Sequence, residues 1–486
     1  MAGIAAYGVA LPRLRLPRST IAAAMGWVNR ALDAAQGERS ICNWDEDSLT
    51  LAVEAARNAL PSHDGRNSVG TVMLASTTLP FADRSNATVL ASALALPSAA
   101  LTFDVTGSQR CGTSVLSQAL AGHEAQHPGV ETLSLVVAAD CRMARPGSEQ
   151  ESRYGHGGAA FSVGADDGLA RLVTRTHLGA DFVDHHRLAG EPFDYSLEER
   201  WVRESGWFEL VPAAVRGLLD GQGLRPAEVG HLIIAADVAI GRRIAELTGV
   251  PEDRLFDSLA STCGNTGCGH ALLMLAGVLE RAGPGELVLV IGFGQGVDAL
   301  LFRTTDAIGA HRPARGLAAC LADRREETHY TRYLSHAGLL PVEFGMRAER
   351  DNRTAQPALW RNRSQVTAFA GGRCRACDTV QFPLSRVCVN PDCRLTDTQD
   401  EHLLSGSTAQ VKTFTEDWRA FSPRPPLVYG NVAFAEGGNA FVEFADFEPG
   451  EAQVGSRVRF VFRLKDVDRN RGFRRYFWKA APDRAS

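Results

Sequence analysis

The sequence lacks the features that would place the protein in a membrane or on a nucleic acid. No stretch approaches the run of about 18 apolar residues that a membrane-spanning helix needs. The formal net charge of −5 gives no general attraction to nucleic acid. The first residues show no basic start followed by an apolar stretch and a cleavage site. We therefore expect a cytoplasmic protein with neither a membrane nor a nucleic-acid partner.

The composition is that of an ordinary globular protein. Of the 486 residues, 45% are hydrophobic and 22% are charged, so the chain can bury a large core. A chain of this length favours about three domains. The cysteines indicate where one domain boundary falls.

Four of the ten cysteines form two close pairs in the last third of the chain. Cys374 and Cys377 are followed by Cys388 and Cys393, and two pairs about a dozen residues apart can close one tetrahedral thiolate site around Zn²⁺. Since all four ligands would be thiolates, the predicted zinc is structural. The alternative is four buried thiols in a small core, which fits the paired spacing less well. A disulfide is not expected in a chain without a secretion signal.

The front part of the chain contains an internal repeat with an offset of 160 residues, the distance from Val69 to Val229. In each copy an apolar run short enough to be a buried strand follows a helix-like stretch. A turn of small residues, an apolar helix and another buried strand come next. Alternating helices and buried strands predict parallel sheets covered by helices. Two copies predict a duplicated layered α/β fold.

Several stretches, in this order and spacing, resemble the thiolase superfamily, in particular the branch of 3-hydroxy-3-methylglutaryl-CoA synthase and ketoacyl synthase III. The resemblance covers roughly residues 1 to 305. The matching stretches are GIAAYGVALPRLRL near the start, Asn43 to Leu60, Tyr154 to Gly164, Cys263 to Gly267 and Ile291 to Leu300. It implies a thiolase-like fold with halves at 1–165 and 166–325.

The tail, from about Tyr330, is similar to the zinc-ribbon and OB-fold acyl-CoA-binding proteins that accompany thiolase-like enzymes. The resemblance implies a helical connector at 326–370, a zinc ribbon at 371–398 and an OB-fold β-barrel at 399–486. Four short strands are expected in the barrel, at 409–415, 427–434, 439–444 and 457–464.

The family resembled uses a cysteine at a helix N-terminus, a histidine and an asparagine at the base of a pantetheine tunnel. Asn265 matches the asparagine, with an N-cap role as the alternative. Cys111 lies in the right segment and is our candidate nucleophile. An ungapped count, however, places Gln109 at the nucleophile position, and two residues on a helix are about 200° apart. A small buried cysteine is the alternative for Cys111.

The histidine of the family is missing, because alanine, Ala235, stands at its place after the first strand of the second half. Asp237 could serve as a base, or could cap the next turn. The catalytic glutamate of the synthases is also absent, since only threonine occurs at Ala75-Ser76-Thr77-Thr78. His156 and His270 could approach the cleft, or could be ordinary packed imidazoles.

Two arginines, Arg242 and Arg243, match a basic patch that the synthases use near the phosphates of CoA, and we predict them as ligands of the thioester carrier. The basic run from Arg469 to Arg475 could meet the charged end of CoA. Alternatively, these arginines face the solvent. The tail, in turn, could serve as structural support or as a dimer contact instead of binding the thioester.

The resemblance implies an enzyme that processes acyl thioesters of CoA or of an acyl-carrier protein carrying acyl-phosphopantetheine. An acyltransferase with an atypical active site is the leading hypothesis. Two alternatives stay open: a carbon–carbon lyase or decarboxylase that works without a covalent acyl enzyme, which Gln109 and Ala235 favour, and a non-catalytic scaffold that binds acyl thioesters. The fold also implies a homodimer built on an edge strand.

Overall fold

The computed structural model describes residues 2–60, 63–125, 132–165, 168–196, 198–310, 313 and 315–484. The chain divides into two compact units. The large unit comprises Met1–Asn43, Asp47–Thr88 and Pro97–Tyr333, and the small unit comprises Trp44–Glu46, Val89–Leu96 and Leu334–Ser486.

The first 336 residues contain twelve strands and twelve helices within the described ranges. The strands are β1 (Ala2–Ala10), β2 (Leu14–Pro17), β3 (Glu38–Ile41), β4 (Val69–Ala75), β5 (Leu101–Val105), β6 (Leu133–Cys141), β7 (His156–Ala165), β8 (Ala170–Gly179), β9 (His231–Ile234), β10 (Leu287–Phe293), β11 (Gly296–Thr304) and β12 (Arg325–Glu326). The helices are α1 (Arg18–Met25), α2 (Ser48–Ala59), α3 (His63–Asn67), α4 (Asn86–Ala93), α5 (Cys111–Glu124), α6 (Glu149–Arg153), α7 (Glu199–Trp201), α8 (Val211–Gly221), α9 (Val238–Thr248), α10 (His270–Leu279), α11 (Leu317–Ala322) and α12 (Tyr330–His336). A π-helical stretch, Val202–Leu210, joins α7 to α8.

Nine strands form one sheet in the order β5-β4-β6-β7-β1-β8-β11-β10-β9. Its two halves repeat the same pairings. β4 runs parallel to β6 as β9 does to β10, and β6 is antiparallel to β7 as β10 is to β11. In the first half β4 also pairs with β5. Within its described residues, the second half has only a single parallel bridge at the corresponding place, between Leu232 of β9 and Leu255. The duplication expected from the sequence is therefore present in the strand pairing.

The sheet is mixed, whereas the sequence predicted parallel strands. The chain between β6 and β7 holds only the five-residue helix α6, which is too short for the crossover that a parallel neighbour needs. β7 therefore returns antiparallel to β6, and β11 returns antiparallel to β10 after a tight turn.

Two helices, α5 and α10, form the centre of the large core. All ten residues of α10 are buried, as expected for a helix that is apolar on every face. The inner residues of α5, including Leu116 and Leu120, belong to the same core cluster as Leu272 and Met274 of α10. The starts of these two helices are therefore held firmly against the sheet.

The small unit contains the cysteine pairs and a separate β-sheet. Its helices are α13 (Gln356–Arg361) and α14 (Arg363–Val366), and its strands are β13 (Ala370–Cys374), β14 (Val380–Gln381), β15 (Gln399–Leu403), β16 (Ala409–Asp417), β17 (Leu427–Phe434), β18 (Asn439–Glu443), β19 (Arg457–Asp468) and β20 (Phe473–Pro482). The four strands expected in the barrel are present, and β20 was not expected from the sequence.

The last five strands form a sheet in the order β18-β17-β16-β19-β20. Its two edge strands meet through a parallel bridge between Phe444 and Ala480, where the Ala445 N–H donates to the Ala480 carbonyl at 2.8 Å. Phe460 and Trp478 are buried in its interior. A closed sheet of this size is compatible with the OB-fold prediction, which stays a prediction. No helix within the described residues is long and apolar enough to cross a membrane.

We predict that the large unit forms a homodimer through β5. This strand lies at one end of the sheet and exposes 61% of Leu101 and 47% of Phe103, and an exposed apolar edge strand favours pairing with another strand. Light scattering after size-exclusion chromatography should give twice the 52.3 kDa of one chain. Phe103→Glu should give monomers, whereas Trp27→Glu, at another exposed aromatic, should not. A wild-type monomer at micromolar concentration would contradict the prediction.

Candidate functional site

A cavity of about 380 Å³ lies in the large unit. Its wall includes Ala235 and Asp237 after β9, Asn265 before α10, and Gln109 before α5. Residues that follow strands or begin helices in this way surround the crevice in which α/β sheets bind ligands. The π-helical stretch adds Trp207 to the wall, and π-turns often mark functional sites.

Gln109 lines the cavity, whereas Cys111 does not. The Gln109 amide nitrogen lies 3.4 Å from the Thr77 hydroxyl and 3.4 Å from Nε2 of His185. Cys111, the first residue of α5, is 3% exposed and packs in the core cluster. The placement of Gln109 in the cavity wall is compatible with the ungapped count, which stays a prediction. The role of Cys111 as nucleophile stays a prediction, and its burial does not favour that role.

Asn265 lines the cavity and also stabilises a turn. Its Oδ1 accepts a hydrogen bond from the Gly267 N–H at 2.9 Å, and its Nδ2 donates to the carbonyl of Ala235 at 3.4 Å. The resemblance predicts that Ala235 stands where the family carries its histidine. The donor side of the amide therefore lies beside that position, where it can reach the carbonyl oxygen of a ligand.

His156 and His270 are ordinary packed imidazoles in this structure. His156 accepts from the Cys42 N–H and donates to the Arg142 carbonyl. In His270 one ring nitrogen faces the Thr266 N–H and the other donates to the Ser258 carbonyl. Burial lowers the pKa of His156 to about 3 and that of His270 to about 4. Both rings are therefore neutral, and both of their nitrogens have partners.

A third histidine, His185, lies at the cavity wall with Nε2 near Gln109. Its Nδ1 contacts the Asp184 carboxylate at 2.6 Å. This pair was not expected from the sequence, because it lies in an irregular segment after β8 with no repeat or periodicity. The adjacent aspartate and histidine were the one signal available.

The predicted CoA ligands Arg242 and Arg243 lie on α9 but not in the cavity wall. Arg242 pairs with Glu252 at 2.9 Å and Arg243 with Glu246 at 2.6 Å, with all four side chains largely exposed. The first turn of α9 does reach the cavity, through Ala239 and Ile240. Asp237 occupies the N-cap position of α9 but makes no capping hydrogen bond with its side chain. The two arginines stay a prediction.

Comparison with known proteins identifies the family. Residues 219–303 match the family model of the 3-oxoacyl-[acyl-carrier-protein] synthase III C-terminal part. A hydroxymethylglutaryl-CoA synthase of Aeropyrum pernix is 32% identical over 350 residues, which cover 70% of this chain and 95% of that protein. The chain belongs to the hydroxymethylglutaryl-CoA synthase family. A second such synthase, of Methanocella arvoryzae, is 30% identical over 69% of this chain and 96% of its own length.

Solved structures agree in fold with this member of the hydroxymethylglutaryl-CoA synthase family. An HMG-CoA synthase complexed with CoA gives a TM-score of 0.61 at 18% identity, covering 71% of this chain and 92% of that one. The 3-oxoacyl-(acyl carrier protein) synthase III from Pseudomonas aeruginosa gives a TM-score of 0.56 at 24% identity, covering 63% of this chain and 98% of that one. The thiolase-like fold inferred from the sequence is confirmed, and the chain is related to acyl-thioester condensing enzymes.

In the small unit of this family member the four predicted zinc ligands come together. The Sγ atoms of Cys374, Cys377, Cys388 and Cys393 all lie within 4.8 Å of one another. Cys374 and Cys393 are 3.9 Å apart, and Cys377 and Cys388 are 3.6 Å apart. A tetrahedral zinc ion with Zn–S bonds of about 2.3 Å separates its sulfurs by about 3.8 Å. The arrangement therefore fits a four-thiolate metal site.

The buried Asp140 carboxylate organises the loop beside Gln109. It accepts hydrogen bonds from the Ser76 hydroxyl at 3.0 Å, from the Thr77 N–H at 2.7 Å and from the Thr78 hydroxyl at 3.1 Å. It also accepts from the N–H of Cys268 at 2.9 Å. The Thr77 hydroxyl is a further donor to this carboxylate, at 3.0 Å.

We predict that Asp140→Ala lowers the free energy of unfolding by about 3 kcal/mol or more, because several buried donors lose their shared acceptor. Urea denaturation followed by circular dichroism measures the change. Asp83→Ala, at an exposed loop position, should change stability by less than about 0.5 kcal/mol. Equal effects of the two substitutions would contradict the prediction.

Proposed function

We propose that this chain is an enzyme that processes acyl thioesters through an enolate, without forming a covalent acyl enzyme. The observation that carries the proposal is the placement of Gln109 in the cavity wall, while Cys111 is buried in the core. A glutamine side chain cannot form a thioester, but its amide can hold a thioester by hydrogen bonds. The relatives support the substrate class, since they are named as synthases that use CoA or acyl-carrier-protein thioesters.

The reaction class that suits this site breaks a carbon–carbon bond next to the thioester carbonyl. In a decarboxylation, for example, the bond from the α-carbon to the carboxylate breaks, CO₂ leaves, and the electron pair forms an enolate. The amide of Asn265 lies where it can donate to the enolate oxygen, which lowers the barrier most if the donor is already oriented. Its Oδ1 is fixed by the Gly267 N–H, so the amide is oriented before a ligand arrives.

Acyl transfer through Cys111 is the second candidate. Membership of a condensing-enzyme family favours it, and so does the position of Cys111 at the start of α5, since a helix N-terminus stabilises a thiolate. It requires the turn before α5 to move, because the thiol is buried. A non-catalytic scaffold is the third reading of the cavity.

We predict that intact-mass spectrometry after incubation with acetyl-CoA shows no added acetyl group. Malonyl-CoA should be converted to acetyl-CoA. Gln109→Ala should slow this conversion by about 100-fold, the scale expected for loss of one positioned donor. Cys111→Ala, which leaves the cavity wall intact, should change it by less than about threefold.

An acetyl adduct on the wild type that disappears in Cys111→Ala would overturn the non-covalent mechanism and support acyl transfer. If the protein neither binds acetyl-CoA nor turns over malonyl-CoA, both enzymatic mechanisms are refuted. Only a non-catalytic scaffold would then remain, and CoA would not be its ligand.

For the small unit we propose a structural Zn²⁺ ion and an OB-fold barrel that assists thioester binding. The four thiols fill all four positions of a tetrahedral site, so no position remains for water. A second cavity, of about 460 Å³, is lined by Tyr429, Phe441, Lys465 and Arg475, among others. Its cations are paired, Lys465 with Glu443 and Arg475 with Asp466, so phosphate binding there would require those pairs to open.

We predict about one zinc ion per chain in the purified protein, measured by plasma mass spectrometry. Cys374→Ser should lose the ion and destabilise the small unit, since a structural zinc contributes to folding. Cys320→Ser is the matched control, because Cys320 is a buried cysteine of the large unit. Full zinc content in Cys374→Ser would refute the site.

A further inference from the structure

The aspartate and histidine after β8 form a pair with a fixed orientation. Nδ1 of His185 lies 2.6 Å from Oδ2 of Asp184, and the other carboxylate oxygen accepts from the N–H of Gln295 at 3.1 Å. Because the carboxylate accepts the Nδ1 proton, Nε2 is the acceptor atom of the neutral ring. The carboxylate, held from both sides, therefore fixes both the tautomer and the direction of the imidazole.

Nε2 of His185 points to Gln109, which the ungapped count predicts at the nucleophile position. It lies 3.4 Å from the amide nitrogen of Gln109, and both residues line the cavity. The side chain of His185 is 15% exposed and that of Asp184 is 10% exposed. The pair is therefore shielded from bulk water but reachable from the cavity.

The segment that carries the pair is tied down by contacts of the residues that follow His185. The Arg187 guanidinium donates to the carbonyl of Thr77, and Asp194 forms an ion pair with Arg142 at 2.5 Å. A backbone bridge joins His186 to Tyr195. These contacts hold the segment against the loop beside Gln109, so the imidazole is already in place before a ligand binds.

Two histidines line the cavity within the described part of the chain, His185 and His270. His270 has both ring nitrogens engaged, one of them by the Ser258 carbonyl. His185 has Nε2 engaged only by the long contact to the Gln109 amide, which a ligand can replace. Among the cavity histidines, His185 is therefore the one able to exchange a proton with a bound molecule.

We propose that His185 is a catalytic acid–base residue of this site, oriented by Asp184, and that it supplies the proton transfer for which Ala235 offers no group. The inference rests on the proposed function. After the carbon–carbon bond breaks, the enolate α-carbon takes the proton from Nε2 of the imidazolium, which becomes neutral. In the reverse direction neutral Nε2 removes an α-proton, the C–H electron pair forms the enolate, and Asn265 donates to its oxygen. The Asp184 carboxylate stabilises the imidazolium.

Exchange of the methyl protons of acetyl-CoA in D₂O tests this step, and proton NMR follows it. Wild-type enzyme should exchange them faster than the enzyme-free solution. His185→Gln should slow the exchange by about 100-fold, as expected for loss of a general base. His186→Gln is the matched control, since the neighbouring exposed histidine does not line the cavity, and it should change the rate by less than about twofold. Imidazole added to His185→Ala should restore part of the rate.

Calorimetric titration of acetyl-CoA separates the possible failures. If the wild type and His185→Gln bind acetyl-CoA equally and exchange its protons equally, the role of His185 is refuted while the proposed substrate class stands. If the wild type does not bind acetyl-CoA, the proposed function and this inference both fall. If His185→Gln does not fold, as judged by circular dichroism, rescue of His185→Ala by imidazole decides, and a folded variant without rescue refutes the role.

Discussion

One buried carboxylate joins the two halves of the large unit at the edge where the cavity lies. Asp140, at the end of β6, accepts from Ser76 to Thr78 after β4 and from the Cys268 N–H before α10. A charged oxygen buried to this degree is stable only if it is fully hydrogen-bonded. The residues before α10 come so close that a Cβ at Gly267 would lie 2.4 Å from Oδ2 of Asp140. The positive φ of 67° at Gly267 is also one that glycine tolerates best.

Much of the fold could be predicted because buried strands and helices leave a strong pattern in the sequence. The apolar runs at β4 and β9 and the small-residue turns before α5 and α10 revealed the duplication. Strand direction was not visible in the same way, because it depends on how the chain returns after β6. The paired spacing of the cysteines predicted that the four thiols come together, since thiolate ligands in a ribbon must lie close together in the chain.

The candidate site was predictable only in part. The ungapped count singled out Gln109, which lines the cavity; that Gln109 stands at the nucleophile position stays a prediction. His185 was missed, because it meets Gln109 across 76 residues of chain and lies in a segment without regular structure. Contacts of that kind are set by tertiary packing and leave no local pattern. Alanine at position 235 predicted that the histidine of the family is missing, but no pattern in the sequence pointed to His185.

The π-helical stretch Val202–Leu210 has a consequence for how the shape of the cavity can evolve. Val202, Arg203 and Trp207 from this stretch line the cavity, and each residue of a helix is turned by about 100° from the one before it. Deleting a single residue here would convert the wide turn to an ordinary α-turn and rotate the following side chains away from the cavity. One short deletion could therefore reshape this wall of the cavity, while the sheet and its polar groups stay as they are.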